Sequence, residues 1–255
     1  MAFPPVMDRF ESDMNADCTS GSISYIGPSL YHRHFIAAAL LVAAGGLSMS
    51  AVAAPAVAVN TPANPPAATA QNTIVVLGDS LSAEYGLARG TGWVALLEKQ
   101  LAAEKITARV INASISGDTT SGGVSRLPVV LAQNKPTHII IELGANDALR
   151  GLPLKMTEDN LAKMTQAAQK AGAKVVLVGM QMPPNYGADY SARFAATYVT
   201  VAKANKAGLV PFLLKGVVDA PQAESLFQAD RIHPNAQAHP AMLANVWTEL
   251  KKLLK

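Results

Sequence analysis

The sequence predicts an α/β fold: a three-layer α/β/α sandwich with about five parallel strands in the order 2-1-3-4-5. Short apolar runs rich in β-branched residues alternate with longer segments of helical period. Such alternation indicates repeated βα units, which give parallel strands joined by right-handed crossovers. One run, His138–Leu143, is apolar almost throughout, which is typical of a strand buried on both faces.

The first half of the domain begins with a strand at Ile74–Leu77, which is wholly apolar and mostly β-branched. A helix is predicted at Gly92–Glu104, because Trp93, Leu97 and Leu101 recur at helical spacing. Three further elements are predicted in this half: a strand at Ala108–Asn112, a helix at Thr120–Gln133 and the buried strand at His138–Leu143.

The second half continues the alternation. A helix is predicted at Thr157–Ala171, with Thr157 as its N-cap and Gly172 as its stop. The remaining predicted elements are a strand at Lys174–Val178, a helix at Tyr190–Lys206, a strand at Val210–Leu213 and a helix at Ala238–Leu254.

Ahead of this domain, residues 1–53 have the features of a leader that contains a secretory signal peptide. Basic Arg33 precedes the apolar run Phe35–Leu47, and Ala51-Val52-Ala53 provides an A-x-A cleavage site. Cleavage is expected near Ala53 or Ala54, which predicts a periplasmic or secreted protein. The alternative is an uncleaved membrane anchor, but glycine, serine and proline interrupt the apolar stretch. Residues 54–72 are predicted to be a flexible Ala/Pro linker, which leaves 73–255 as the globular domain.

Residues 1–30 do not fit the start of an exported chain. They carry Asp8, Glu11, Asp13 and Asp17 against Arg9 alone, whereas the start of a signal peptide is positively charged. We hypothesise that translation begins downstream of Met1, near Leu30, through a non-standard start codon.

The composition limits the classes of partner and chemistry. Without residues 1–53, 19 Lys+Arg and 14 Asp+Glu remain, a net charge of +5 with no basic cluster. Nucleic acid is therefore not an expected partner, whereas transient contact with anionic lipid is compatible with this charge. Cys18 is the single cysteine and lies in the leader, so a cysteine nucleophile and a disulfide are both excluded from the mature domain. A monomer is expected.

Chemically reactive residues follow the predicted strands, and the carboxyl ends of parallel strands are where such folds bind ligands. Ser80 offers a hydroxyl, His233 a base, and Asp230 a carboxylate that one helical or 3₁₀ turn would place beside it. Gly117 offers a backbone N–H with no Cβ in the way, and Asn146 a side-chain amide. The four segments are Gly78–Leu81, Asn112–Thr119, Gly144–Asp147 and Asp230–Pro234.

Each segment taken alone could be an ordinary turn, because Gly, Asp, Asn and Ser are the usual turn residues. Residues 54–255 contain two other histidines. His138 begins an apolar strand and is expected to be structural, and His239 precedes Pro240 and is expected to be a helix cap or a surface residue. His233 alone has a carboxylate at a suggestive spacing.

The four segments together resemble those of the SGNH hydrolases, also called the GDSL family, whose fold is flavodoxin-like. The four letters match Ser80, Gly117, Asn146 and His233, and the resemblance covers essentially all of 73–255. It is strongest to the bacterial periplasmic subgroup of multifunctional thioesterase I, lysophospholipase and arylesterase. Two positions depart from the subgroup, which often has glycine where this chain has Ala145 and commonly has glycine where it has Arg231.

The resemblance implies a hydrolase of carboxylic esters and thioesters that acts through an acyl-serine intermediate. Ser80 would be the nucleophile, with Asp230 and His233 as its partners, and Ser80, Gly117 and Asn146 would form the oxyanion hole. The substrate would be a small acyl ester or thioester, without a cofactor or metal. The alternatives are a short-chain carbohydrate deacetylase of the same superfamily and a non-catalytic flavodoxin-like binding module.

The apolar, Gly/Pro-punctuated segment 180–187 follows the fourth predicted strand. Loops in this position commonly shape ligand sites. We therefore expect Met182, Pro183 and Tyr186 to line one wall of an acyl-chain groove. An ordinary surface crossover is the alternative.

Overall fold

The structure is a computed structural model that describes residues 72–254. The predicted leader lies wholly outside the described residues, as does the predicted linker apart from Asn72. The five strands of the described chain form one parallel sheet in the order 2-1-3-4-5, which confirms the predicted fold class.

The elements alternate as predicted. The strands are β1 (Asn72–Gly78), β2 (Ala108–Asn112), β3 (His138–Glu142), β4 (Lys174–Val178) and β5 (Gly208–Val210). The helices are α1 (Trp93–Ala103), α2 (Thr120–Asn134), α3 (Ala145–Leu149), α4 (Leu154–Lys170), α5 (Ala188–Asn205) and α6 (His239–Leu253), with 3₁₀ helices at Pro184–Tyr186 and Ala223–Leu226.

The core lies on both faces of the central strands β1 and β3. Residues 74–77 and 139–141 are fully buried, because β1 is flanked by β2 and β3, and β3 by β1 and β4. Helix α1 packs against α6, whereas α4 packs against both α2 and α5. These two groups are the outer layers of the sandwich, and burial of their apolar stripes against the sheet is the main stabilising contribution.

Two elements of the structure differ from the prediction. The strand predicted at Val210–Leu213 is wrong, because β5 ends at Val210 and is followed by Pro211. Proline has no N–H to donate to a sheet ladder, so the strand ends before it. The short helix α3 was not predicted, because a five-residue helix is too short to show a period.

The N-terminus of α4 also differs from the prediction. Thr157 is not an N-cap, because α4 begins at Leu154 and Thr157 is fully buried within the helix. The predicted stop is confirmed: α4 ends at Lys170 and Gly172 follows with a φ of +90°.

The topology brings the polar segments to one edge of the sheet. Strands β2, β1 and β3 are neighbours, so the segments that follow them emerge side by side at their carboxyl ends. The backbone N–H of Ile115, in the segment after β2, donates to Gly78 O at 3.0 Å. No helix within residues 72–254 is both long and apolar enough to cross a bilayer.

Candidate active site

Three side chains form a continuous hydrogen-bonded chain at this edge. The Oγ atom of Ser80 lies 2.9 Å from Nε2 of His233, and Nδ1 of the same ring lies 2.7 Å from Oδ2 of Asp230. An Nδ1–H that donates to the carboxylate leaves Nε2 as the acceptor for the serine hydroxyl. The structure therefore brings together the predicted nucleophile, base and carboxylate in the order that a serine hydrolase requires.

The turn that carries Asp230 and His233 differs from the predicted helical or 3₁₀ turn. Asp230 Oδ1 accepts hydrogen bonds from the backbone N–H groups of Ile232 at 2.9 Å and His233 at 3.0 Å. This is an Asx-type turn, and Arg231 within it has a φ of +57°. One carboxylate thus fixes the backbone of the turn with one oxygen and the imidazole with the other.

Hydrogen bonding also sets the charge state of Asp230. Partial burial acts to raise the pKa of this carboxyl, but the bonds from the His233 backbone and ring and from the Ile232 N–H together hold the pKa below its usual range. The carboxylate is therefore ionised at neutral pH and can stabilise an imidazolium at His233.

Two residues outside the predicted set hold His233 in place. The ring of Tyr85 lies 4.4 Å from the imidazole, centroid to centroid, with a tilt of 39°. Gln228 Nε2 donates to Tyr85 O at 2.9 Å and to Pro234 O at 3.0 Å. Gln228 therefore joins the loop that follows Ser80 to the loop that carries His233.

Ser80 lies two residues after the end of β1, in a turn that is anchored to β3. Glu142 Oε2, at the end of β3, accepts from Ser82 Oγ at 2.8 Å and from Asp79 N–H at 3.4 Å. A Cβ at Gly78 would lie 2.9 Å from that carboxylate oxygen and 2.8 Å from Ser82 Cβ. Glycine is therefore required at position 78 for the close approach of the two strand ends.

Two backbone N–H groups are the predicted donors to a negatively charged oxygen of the substrate. Neither the N–H of Ser80 nor that of Gly117 donates to an acceptor within the described part of the chain. Gly117 has a φ of +77°, a conformation that residues with a Cβ rarely adopt. Because an added Cβ would have no heavy atom closer than 3.8 Å, the backbone conformation rather than crowding is the reason for glycine here.

Asn146, the third predicted donor, lies in the first turn of α3. Its Nδ2 atom donates to Asp79 Oδ2 at 3.0 Å and to Asp118 O at 2.9 Å. The amide nitrogen therefore lies between the turn that carries Ser80 and the loop that carries Gly117. Both of its hydrogens already have acceptors, which the sequence did not indicate.

The loop around Gly117 is fixed from α2 by Arg126. Its guanidinium donates to Asp118 Oδ2 at 2.7 Å, to Gly78 O at 3.2 Å and to Ala113 O. A planar guanidinium can satisfy several acceptors at once, so this residue joins the end of β1 to the loop after β2.

Two buried carboxyl groups, Asp79 and Glu142, lie behind the nucleophile. Burial raises the pKa of Asp79 to about 6, against the lowering effect of the bond from Leu81 N–H. Burial and the nearby charge of Asp79 raise the pKa of Glu142 well above its usual range. Because two adjacent buried carboxylates repel each other, we assign the proton to Glu142 and the charge to Asp79 at neutral pH.

The other two histidines of the described residues are both structural. His138 is buried at the start of β3, between Thr137 Oγ1 at 2.9 Å and Leu253 O at 3.0 Å, as predicted. The prediction that His239 is a helix cap or surface residue is wrong. It is 2% exposed, and its Nδ1 accepts from Trp93 N–H at 2.9 Å, so it joins the first turn of α6 to that of α1.

The predicted substrate-binding residues differ in their exposure. Met182 is buried, Pro183 is exposed and Tyr186 is half-buried against the core. The helix that follows them, α5, contacts α3 through Tyr190 Oη and Ala148 O at 3.5 Å. The first turn of α5, which follows the 180–187 segment directly, therefore lies beside α3, the helix that carries Asn146.

The part of the chain that the structure describes contains no group of three or more His, Cys, Asp or Glu side chains arranged to hold a metal ion. The clustered carboxyl groups instead bind protein donors: Asp147, for example, accepts from Thr120 N–H at 2.8 Å and from Thr120 Oγ1.

Comparison with known proteins agrees with this geometry. Residues 76–241 match the family model described as the GDSL-like lipase/acylhydrolase family. The matched stretch includes Ser80, Gly117, Asn146, Asp230 and His233. The chain belongs to the GDSL family. Membership in this family confirms the predicted resemblance.

Individual relatives support the assignment over nearly the whole domain. The esterase TesA of Pseudomonas aeruginosa is 51% identical over 185 residues, which is 72% of this chain and 90% of the relative. The thioesterase 1/protease 1/lysophospholipase L1 of Escherichia coli is 40% identical over 173 residues, which is 68% of this chain and 80% of the relative.

A solved structure shows the same fold. The crystal structure of the esterase EstA from a Pseudoalteromonas species, inhibited by monoethylphosphonate, has a TM-score of 0.68 and is 41% identical. The alignment covers 72% of this chain and 99% of that structure.

The contacts of several residues of this GDSL-family site have no clear sequence signal. Asp79 and Glu142 are separated by 63 positions, and their contact depends on the register of β1 against β3. Arg126 lies in a stretch, Arg126–Pro128, that resembles the family, but its three acceptors cannot be inferred from spacing. Gln228 contacts Tyr85 through the backbone carbonyl of Tyr85, which any residue type would provide, so the sequence does not indicate the contact.

Proposed function

We propose that this GDSL-family chain is a serine hydrolase that cleaves carboxylic esters and thioesters through an acyl-serine intermediate. The hydrogen-bonded chain from Ser80 through His233 to Asp230 carries the proposal. The names of the relatives, an esterase and a thioesterase/lysophospholipase, support both substrate classes. A non-catalytic binding module would have no need of this arrangement.

The proposed reaction begins when Ser80 Oγ attacks the carbonyl carbon of the acyl substrate. His233 Nε2 takes the hydroxyl proton as the new C–O bond forms, and Asp230 stabilises the imidazolium. The proton then passes to the leaving alcohol or thiol as the bond between the carbonyl carbon and that group breaks. Water, activated by His233, attacks the acyl-serine by the same route and releases the acid.

The oxyanion of each tetrahedral intermediate would be held by the N–H groups of Ser80 and Gly117 and by the side-chain amide of Asn146. The absence of acceptors for the two backbone donors in residues 72–254 supports this role. Donors that are fixed before the reaction stabilise developing charge without reorganisation.

The acyl chain would lie along the segment that contains Met182, Pro183 and Tyr186. The contact between α5 and α3 supports a position beside the site. The expected substrates are small acyl esters and thioesters, and the expected protein is a monomer. Transient contact with a lipid surface is compatible with the positive charge of the domain.

Export to the periplasm or the medium is also part of the proposal. Its support is the basic, apolar and Ala-x-Ala pattern of residues 33–53. N-terminal sequencing of the secreted protein should find a start near Ala53 or Ala54. A mature protein that retains residues 1–30 would contradict both the cleavage and the downstream start.

The function is tested by replacing the nucleophile. Ser80→Ala should lower kcat for p-nitrophenyl esters by several orders of magnitude, because a methyl group cannot form the acyl intermediate. The wild type should incorporate one equivalent of a p-nitrophenyl phosphonate, and Ser80→Ala should incorporate none. Ser225→Ala, which changes an exposed serine in the 3₁₀ helix Ala223–Leu226, is the matched control. Near-native turnover by Ser80→Ala would exclude the proposed mechanism.

A further inference from the structure

We infer that Asp79 is a positioning residue for the oxyanion hole, because its carboxylate holds the side-chain amide of Asn146 in the orientation that donates to the oxyanion. This inference rests on the proposed function and adds to the site a residue that does not contact the substrate. Asp79 is adjacent to the nucleophile in sequence, but it is 1% exposed and faces the interior.

The carboxylate of Asp79 joins two parts of the site. Its Oδ1 accepts from Leu81 N–H at 3.0 Å, which fixes the turn around Ser80. Its Oδ2 accepts from Asn146 Nδ2 at 3.0 Å, which fixes the amide at the start of α3. The two donor-bearing segments are thus held by the same side chain.

The acceptors of the two Asn146 amide hydrogens determine which hydrogen is available to the substrate. One hydrogen of Nδ2 is donated to Asp79 and the other to the neutral backbone carbonyl of Asp118 at 2.9 Å. An oxyanion must therefore share or displace one of these bonds. A bond to a carboxylate is stronger than a bond to a neutral carbonyl. We therefore expect the bond to Asp79 to be kept, and the oxyanion to share or take over the hydrogen now donated to Asp118 O.

Glu142 keeps Asp79 from moving with the amide. Its Oε2 accepts from the Asp79 N–H and from Ser82 Oγ, so both ends of the turn are bound to the end of β3. The other oxygen, Oε1, is buried and has no hydrogen-bond partner among the described residues. The polar chain Glu142–Asp79–Asn146 thus reaches from the sheet to the oxyanion hole.

A double-mutant cycle in the full chain tests this coupling with a p-nitrophenyl ester. Asp79→Ala should lower kcat by about 10- to 100-fold, which is less than the roughly 10²- to 10³-fold loss expected for Asn146→Ala, and should change KM by less than about threefold. In the Asn146→Ala background, Asp79→Ala should change kcat by less than about threefold, because a residue that acts through Asn146 has no further effect once Asn146 is absent.

Two other variants separate positioning from general loosening of the turn. Ser82→Ala removes the other bond between the turn and Glu142 without touching Asn146, and its effect on kcat should be multiplicative with that of Asn146→Ala. In Asp79→Asn the side chain keeps one oxygen, whereas Leu81 N–H and Asn146 Nδ2 each need an acceptor. Its kcat should therefore lie between those of the wild type and Asp79→Ala. It also serves if Asp79→Ala does not fold.

The outcomes are distinct. An inactive wild type, or an active Ser80→Ala, would refute the proposed function itself. With an active wild type, multiplicative effects of Asp79→Ala and Asn146→Ala would overturn the positioning role alone. A rise in kcat for Asp79→Asn would overturn it as well, because the carboxylate charge would then oppose the oxyanion more than it orients the amide.

Discussion

Arg231 occupies a backbone position that suits glycine. It lies between Asp230 and His233 with a φ of +57°, and the left-handed conformation costs a residue with a Cβ about 1–2 kcal/mol. The side chain is exposed and donates no hydrogen bond within residues 72–254. The Asx turn that aligns the imidazole is thus formed against the preference of one of its own residues.

Arg231→Gly should therefore stabilise the protein without loss of activity. Relief of the left-handed strain exceeds the extra chain entropy of glycine, about 0.5–1 kcal/mol, so the free energy of unfolding should rise by up to about 1 kcal/mol. Guanidinium denaturation measures the change. Arg231→Ala keeps the Cβ and removes the charge, so it should not share the gain. Equal stabilisation by both variants would assign the effect to charge rather than backbone.

At the scale of residues, the residues that take part in the reaction were easier to predict than the residues that hold them in place. Ser80, Asp230 and His233 could be inferred because each is a reactive residue type at a strand end or at a short, fixed spacing. Asp79 looked like part of a turn and His239 like a surface residue, because sequence spacing does not show burial. Both assignments depend on contacts with β3 and α1 that form only in the folded chain.

At the scale of elements, the segment between β4 and α5 sets the expected choice of substrate. Met182 packs into the core, whereas Pro183 is exposed and Tyr186 is half-buried. Met182 therefore fixes the segment, and we expect Pro183 and Tyr186 to be the residues that contact a ligand. Its position after β4 was predicted from the alternation, because a loop there emerges at the carboxyl edge of the sheet.

If this segment walls an apolar groove, longer acyl chains should react faster. Each buried methylene contributes about 0.8 kcal/mol at best, or roughly fourfold in kcat/KM. From acetyl to octanoyl the ceiling is about 5 kcal/mol, and partial burial should leave a gain of about 10- to 10³-fold. The measurement is kcat/KM for p-nitrophenyl esters of two to twelve carbons, below their micelle limits.

Matched variants locate the groove. Pro183→Ala and Tyr186→Ala should reduce the octanoyl-to-acetyl ratio, whereas Val199→Ala, at an exposed apolar position on α5, should leave it unchanged. A maximum at acetyl in the wild type would instead support the short-chain carbohydrate deacetylase.

The prediction of element boundaries was wrong where a single residue, or the shortness of an element, outweighed the apolar pattern. The apolar run Val210–Leu213 suggested a strand, but Pro211 within it cannot donate to β4, and the ladder ends at Val210. Helix α3 was missed because its five residues are held by contacts rather than by a period. Asp147 within it accepts from Thr120 at the start of α2, so its position depends on packing between helices.

At the scale of the whole molecule, the parallel sheet followed from alternation, because repeated right-handed βα units allow few arrangements. Its order was predicted as one of the common doubly wound orders. The same order places β1 beside β3, and in their register Gly78 is paired with Glu142. The end of β1, which leads into the turn that carries Ser80, thus lies beside the buried carboxyl group at the end of β3. The fold tolerates this polar pair in its interior at the point where the site is assembled.

The burial of Glu142 should make the stability of the protein depend on pH. Burial and the charge of Asp79 raise the pKa of Glu142 well above its usual 4.5. The folded state then binds the proton more tightly than the unfolded state, so this contribution to stability is complete below pH 4.5. It is lost as the pH rises from there through the folded pKa, by about 1.4 kcal/mol per pH unit.

Glu142→Gln removes this titration while keeping the size of the side chain. The free energy of unfolding of the variant minus that of the wild type should therefore increase from about pH 4.5 upward, measured by urea denaturation between pH 4 and 8. Burial lowers the pKa of His239, which weakens both proteins at acid pH and so cancels in the difference. Glu98→Gln, at an exposed position on α1, should give a nearly flat difference. An equally flat difference for Glu142→Gln would mean that Glu142 is ionised in the folded protein, and that the negative charge behind Ser80 is shared by both carboxylates.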